Sequence, residues 1–209
     1  AVGTGSYLQM SPALAFDGSN YLVAWQHLIV TGYADIHGAR VSTSGVVLDS
    51  IVICSADSEQ TAPAVAFDGT NYLVAWQDER NGPADDIYAA RVSTAGSVLD
   101  PDGVVVSSAG LWQEEPAVAF DGTNFLVSWH DLRSMSTDIY AARVSQNGAV
   151  LDPTGFVVSD ATDAQEIPAL AFDGTNYLAV WRDIRSGTSV DIYGARIGPA
   201  GAVLDKYGI

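Results

Sequence analysis

Aspartate and arginine recur at fixed distances from tryptophan. Asp78, Asp131 and Asp183 follow Trp76, Trp129 and Trp181 by two residues, and Arg80, Arg133 and Arg185 follow by four. A second set opens the pattern D-I-Y with Asp86, Asp138 and Asp191, Asp35 standing in the same place before His37. Arg40, Arg91, Arg143 and Arg196 lie five residues beyond those aspartates. Such an array admits two chemistries. One is a set of ligand or cation sites; the other is carboxylates bonding turn amides and guanidinium forks clamping neighbouring elements. Groups repeated with every unit serve the unit, so the structural reading is preferred.

The remaining polar residues do not assemble a recognisable catalytic motif. Each of the three histidines occupies a repeat position where other units differ: His130 stands where they carry Gln26, Gln77 and Arg182. The glutamates Glu59, Glu79, Glu114, Glu115 and Glu166 show no partner in the sequence, and a glycosidase needs an acid pair. Serine-hydrolase, zinc and phosphate-loop patterns are missing. No catalytic residue and no enzyme are therefore expected. "DPDG" at 100–103 opens like a calcium loop, but Leu111 stands where the bidentate acid belongs. No cofactor and no metal ligand are expected; calcium held by oxygens from separate loops is the one ion the acid excess admits. Recognition, if any, falls to unrepeated side chains in loops: Trp112 in "GLWQEE", Tyr33 and Met135.

The elements that carry these residues form a fourfold repeat. "PAVAFDGTNYLVAW" (63–76) has close copies elsewhere, so that Pro12, Pro63, Pro116 and Pro168 are spaced by 51, 53 and 52 residues. Trp25, Trp76, Trp129 and Trp181 keep the same spacings, as do Gln9, Gln60, Gln113 and Gln165. Within a unit, "PAVAF" leads into the turn "DGTN", where Asp-Gly and Asn tolerate positive φ. "YLVAW" then places Tyr72, Val74 and Trp76 on one side and Leu73 and Ala75 on the other. "DIYAARVS" and "VVVSS" follow, giving four strands without helical periodicity. Units of this length, apolar on both faces, match propeller blades, each covered by two neighbours. The small Ala64 and Ala66 and their counterparts suit an innermost strand.

The repeat "P-A-x-A-F-D-G-x-N-Y-L-V-A-W-x-D-x-R" with its later "D-I-Y" resembles the repeat of secreted bacterial β-propellers. It is similar in layout to TolB-type repeats. The resemblance spans the whole chain and implies a propeller in an extracellular or cell-surface setting; it implies no activity. The first unit departs from it, with His27 for the loop aspartate, His37 for the tyrosine, and no clamp arginine.

Composition limits the partners. Twenty-five acids against nine bases give a net charge of −16, which repels nucleic acid and anionic membranes. No apolar run reaches membrane-spanning length. The lone Cys54, inside "IVICS", reads as a buried thiol. The expectation is one all-β propeller domain, residues 1–209, of four blades with four antiparallel strands each. Its termini meet within one blade, residues 1–11 completing the last. As function, a non-enzymatic extracellular interaction or structural module is expected, bound to protein or to itself. A lectin-like propeller that binds glycan is the alternative, and a glycoside hydrolase stands behind both.

Overall fold

In the computed structural model all residues are described except Gly5, Ser6, Val30 and Thr31. Each repeat folds into one antiparallel sheet. The first orders β1 (Gln9–Phe16), β2 (Asn20–Leu28), β3 (Ala34–Ser42) and β4 (Ile51–Cys54); the second, β5 (Gln60–Phe67), β6 (Asn71–Asp78), β7 (Asp86–Ser93) and β8 (Val104–Ser107). The third orders β9 (Gln113–Phe120), β10 (Asn124–Asp131), β11 (Asp138–Ser145) and β12 (Phe156–Ser159). The fourth holds β13 (Gln165–Phe172), β14 (Tyr177–Asp183) and β15 (Asp191–Ile197). Among the described residues there is no helix. The all-β propeller expected from the repeats is the fold observed.

Strand alternation builds the core between sheets. Leu22, Ala24 and Ile36 on the trailing face of the first sheet meet Tyr72, Val74 and Trp76 on the leading face of the second. Leu73, Ala75 and Ile87 meet Phe125, Val127 and Trp129 in the same way, and Leu126, Ile139 and Ala141 meet Tyr177, Ala179 and Trp181. Trp76, Trp129 and Trp181 are almost fully buried. Each contributes roughly 4–6 kcal/mol of gross transfer free energy.

Two backbone devices set the inner strands. In the turn after each, an aspartate (Asp68, for example) accepts from the amides two and three residues on, at 2.7 Å in both cases, while Gly69 takes φ +94°. Earlier in each inner strand the ladder is interrupted, between Thr61 and Ala64 in β5 and between Glu166 and Ala169 in β13. Proline has no amide to give the ladder and so marks the interruption. The residue before each proline (Ser11, Ala62, Glu115, Ile167) is forced to φ between 49° and 54°. That conformation costs about 1–3 kcal/mol per residue and turns an amide away from its own sheet.

The chain ends differ from the interior pattern. In the fourth sheet, the place of an outer strand is taken by Ile209, which exchanges two hydrogen bonds with Gly194. The N-terminal stretch was expected in that sheet; its described part lies against the first. The reason is local. Gly103 and Gly155 lie against the ring edges of Trp76 and Trp129, but the first unit reads "LDS" where the second reads "LDPDG" and lacks that glycine. Gly3 takes the vacant place against Trp25.

Candidate functional site

The repeated aspartates and arginines close on each other and on neighbouring sheets. Asp131 is fully buried and accepts from Trp129 Nε1 (2.8 Å), the Arg133 amide (2.9 Å), Arg133 Nε (2.9 Å) and Arg133 Nη2 (2.6 Å). Arg133 then donates to the Thr154 carbonyl of its own sheet and to Ser107 Oγ of the preceding one, and lies 4.0 Å over the Tyr140 ring. Arg80 and Arg185 repeat this, reaching Cys54 Sγ and Ser159 Oγ. Cys54 is buried, and burial raises its thiol pKa. Arg40, Arg91, Arg143 and Arg196 pair instead with the aspartate nine residues on: Asp49, Asp100, Asp152 and Asp205. The D-I-Y aspartates Asp86 and Asp138, and Asp35 in the equivalent place, are buried as well, and burial raises their pKa values.

Where the repeats differ, another cluster forms. The residue after each inner-strand glutamine pairs in register with the residue after the tryptophan: Met10 with Gln26, Thr61 with Gln77, Glu114 with His130, Glu166 with Arg182. Only the third and fourth sheets thus carry a carboxylate here, each facing a base. His130 Nε2 lies 2.8 Å from Glu114 Oε2, and Arg182 Nη1 lies 3.2 Å from Glu166 Oε2. The bulges join this end of the second, third and fourth sheets to one another. The Glu115 amide donates to Gln77 Oε1 (3.1 Å), and the Ile167 amide to His130 Nδ1 (3.4 Å). Because Nδ1 accepts, the neutral ring carries its proton on Nε2 and donates to Glu114.

Asp85 completes the cluster from the loop before β7. Its counterparts are Ala34, Thr137 and Val190, so this acid too is unrepeated. It is buried, and its backbone carbonyl accepts from the amide of Gln113, the residue before Glu114, at 2.9 Å. Burial, with the charges of Glu114 and Glu79, pushes its pKa up to about 7. The hydrogen bond from His130 holds Glu114 below the usual carboxylate range, against its own burial. The two neighbouring carboxyls have opposed environments, which push the Asp85 pKa up and the Glu114 pKa down. Glu79 is raised by burial and by Glu59. An acid raised toward neutrality thus stands beside one held low, the arrangement that acid–base chemistry uses. No partner for the glutamates was expected from the sequence; the structure supplies His130 and Asp85 for Glu114, and Arg182 for Glu166. The legible signal is that Met10, Thr61, Glu114 and Glu166, and their cross-strand partners, vary between repeats while the glutamine or tryptophan before each does not.

The residues expected to read a ligand are all exposed but lie apart in the chain's elements. Trp112 immediately precedes β9, its carbonyl accepting from the Leu132 amide. Tyr33 lines a cleft with Ile29, Asp35 and Asp57, and neither Trp112 nor Met135 lines it. In the first unit, the His27 and His37 rings meet at a tilt with centroids 4.3 Å apart, and burial beside His27 lowers the His37 pKa to about 4. Among the described residues no group of three or more His, Cys, Asp or Glu side chains is arranged to hold a metal ion.

No family model matches the chain, and no curated protein matches it. Solved structures do. The catalytic domain of a GH62 α-L-arabinofuranosidase from Coprinopsis cinerea is 10% identical, with TM-score 0.62 over 97% of this chain and 70% of that one. The arabinanase Arb43A of Bacillus subtilis is 16% identical, with TM-score 0.57 over 99% of this chain and 78% of that one. CoXyl43, a GH43 β-xylosidase/α-arabinofuranosidase from a compost metagenome, solved with xylotriose, is 13% identical, with TM-score 0.59 over 93% and 72%. The likeness is one of fold. The propeller stands, while a TolB-type family does not follow from it. The expectation of a non-enzymatic interaction or structural module, and with it of no enzyme, is corrected: the propellers that this chain resembles are glycoside hydrolases. That expectation rests on four equivalent units, and the unrepeated Asp85, Glu114 and Glu166 break the equivalence.

Proposed function

We propose that this chain acts on a neutral glycan as a glycoside hydrolase, with its acid–base groups at the unrepeated end of the inner strands. The observation that carries the reading is the placement of buried Asp85, whose carbonyl accepts from the Gln113 amide, beside the Glu114–His130 pair, on a scaffold whose structural relatives cleave glycosides. The Asp85 proton passes to the glycosidic oxygen as the bond to the anomeric carbon breaks. Water attacks that carbon and loses its proton to the second carboxylate. The second role requires about 5–9.5 Å between carboxyls, and Glu114 is the direct neighbour of Asp85 and already bound to His130. Glu166, at the same register position one sheet on, takes it, with Arg182 orienting its carboxylate. The net charge of −16 disfavours uronic-acid polymers and leaves neutral ones. An extracellular setting, where polymeric glycans are met, suits the same reading.

The test is release of aryl alcohol from aryl α-L-arabinofuranosides and β-D-xylosides, with calorimetric titration of xylotriose. Hydrolysis is expected, falling about 100-fold or more in Asp85→Asn and in Glu166→Gln. Binding of xylotriose without any cleavage would reject the acid–base roles, and neither binding nor cleavage would reject the glycan.

A further inference from the structure

The three inter-sheet contacts define what a covered sheet looks like, and the fourth sheet lacks that cover. Leu22, Leu73 and Leu126 are 0–2% exposed, whereas their counterpart Leu178 is 42% exposed. Ile36, Ile87 and Ile139 are each 0% exposed, whereas Ile192 is 70% exposed. A third, polar mark agrees. The Arg–Asp pair of each earlier sheet is roofed by the glycine turn of the next: Gly96 over Arg40, Gly148 over Arg91, Gly201 over Arg143. Those arginine side chains are 19–23% exposed, and Arg196 is 52% exposed. Exposed side chains of this size on one face mark an interaction surface.

We infer that the trailing face of the fourth sheet, through Leu178, Ile192 and Arg196, docks one further four-stranded sheet of the same repeat pattern. The occupant is defined by the three contacts already present. Its second strand carries an aromatic, an apolar residue and a tryptophan at alternate positions, as Phe125, Val127 and Trp129 do against Leu73 and Ile87. Its glycine turn lies over Arg196. In a second copy the corresponding tryptophan, Trp25, already has Gly3 against its ring.

The experiment extends the chain after Ile209 with a copy of residues 105–159, which supplies the rest of the fourth sheet's outer strand and then a whole sheet. Amide exchange across Asp191–Arg196 is expected to slow at least about tenfold, and melting to rise by about 5 °C. Neither gain is expected when the copied segment carries Phe125→Asp and Trp129→Asp. In the unextended chain Ile192→Asp leaves melting unchanged, while the covered Ile139→Asp lowers it sharply. Unslowed exchange in the extended chain overturns the proposal, as does a stability loss in Ile192→Asp equal to that of Ile139→Asp. Sedimentation of the unextended chain as an oligomer with this face protected would assign it to a second copy, and so also overturns it.

Discussion

Removing the Asp131 carboxylate tests how the sheets are held together. Asp131 is fully buried and accepts four hydrogen bonds, three of them from Arg133 and one from Trp129 Nε1. In Asp131→Ala the indole N–H loses its only acceptor and the Arg133 guanidinium, about one-fifth exposed, keeps its charge without a counter-ion. Breaking a buried pair from one side costs about 3–5 kcal/mol, more than a neutral hydrogen bond, because the partner stays desolvated. For a chain of this size each kcal/mol corresponds to about 2–4 °C, so melting should fall by about 6–20 °C. Calorimetry at neutral pH and moderate salt measures this directly. Arg133→Ala should cost less than Asp131→Ala, since Asp131 would keep the indole and one backbone amide and lose the guanidinium. The inter-sheet bond to Ser107 and the stacking on Tyr140 would go as well. A fall of less than 2 °C in both variants would refute the clamp and return these residues to the ligand reading.

Two further outcomes follow from particular contacts. Asp85 is raised to about 7, so the folded state holds a proton that the unfolded chain releases near pH 4; stability therefore falls as pH rises from about 4 to 7. Asp85→Asn should flatten that limb of the melting profile and raise stability at pH 8 relative to the parent; an unchanged slope would refute a protonated Asp85. Gly155 takes φ +64° and a Cβ there would lie 2.9 Å from the Trp129 ring, so Gly155→Ala should lower stability by about 1–3 kcal/mol, read by denaturant melts. No loss would show that the turn over the indole yields freely.

The sequence determined whatever depends on near neighbours. Strands, Asp-Gly turns and the side to which Tyr72, Val74 and Trp76 point follow from alternation within a few residues. The Trp–Asp–Arg clamps are legible for the same reason, since Trp129, Asp131 and Arg133 lie on one side of one strand and its exit. Repetition even located the sheets, because a phrase written four times must fold four times. The tertiary structure decided what the repeats do differently. Glu114 meets His130 only because a bulge at Glu115 and Pro116 sets the register, and meets Asp85 only because the loop before β7 comes from the sheet before. The N-terminal stretch reads as a continuation of the last repeat, yet Gly3 packs on Trp25, where a shortened turn leaves the indole edge open. Ile192 reads like Ile36, Ile87 and Ile139; whether such a side chain is buried depends on a neighbouring sheet, which no residue beside it in the chain encodes.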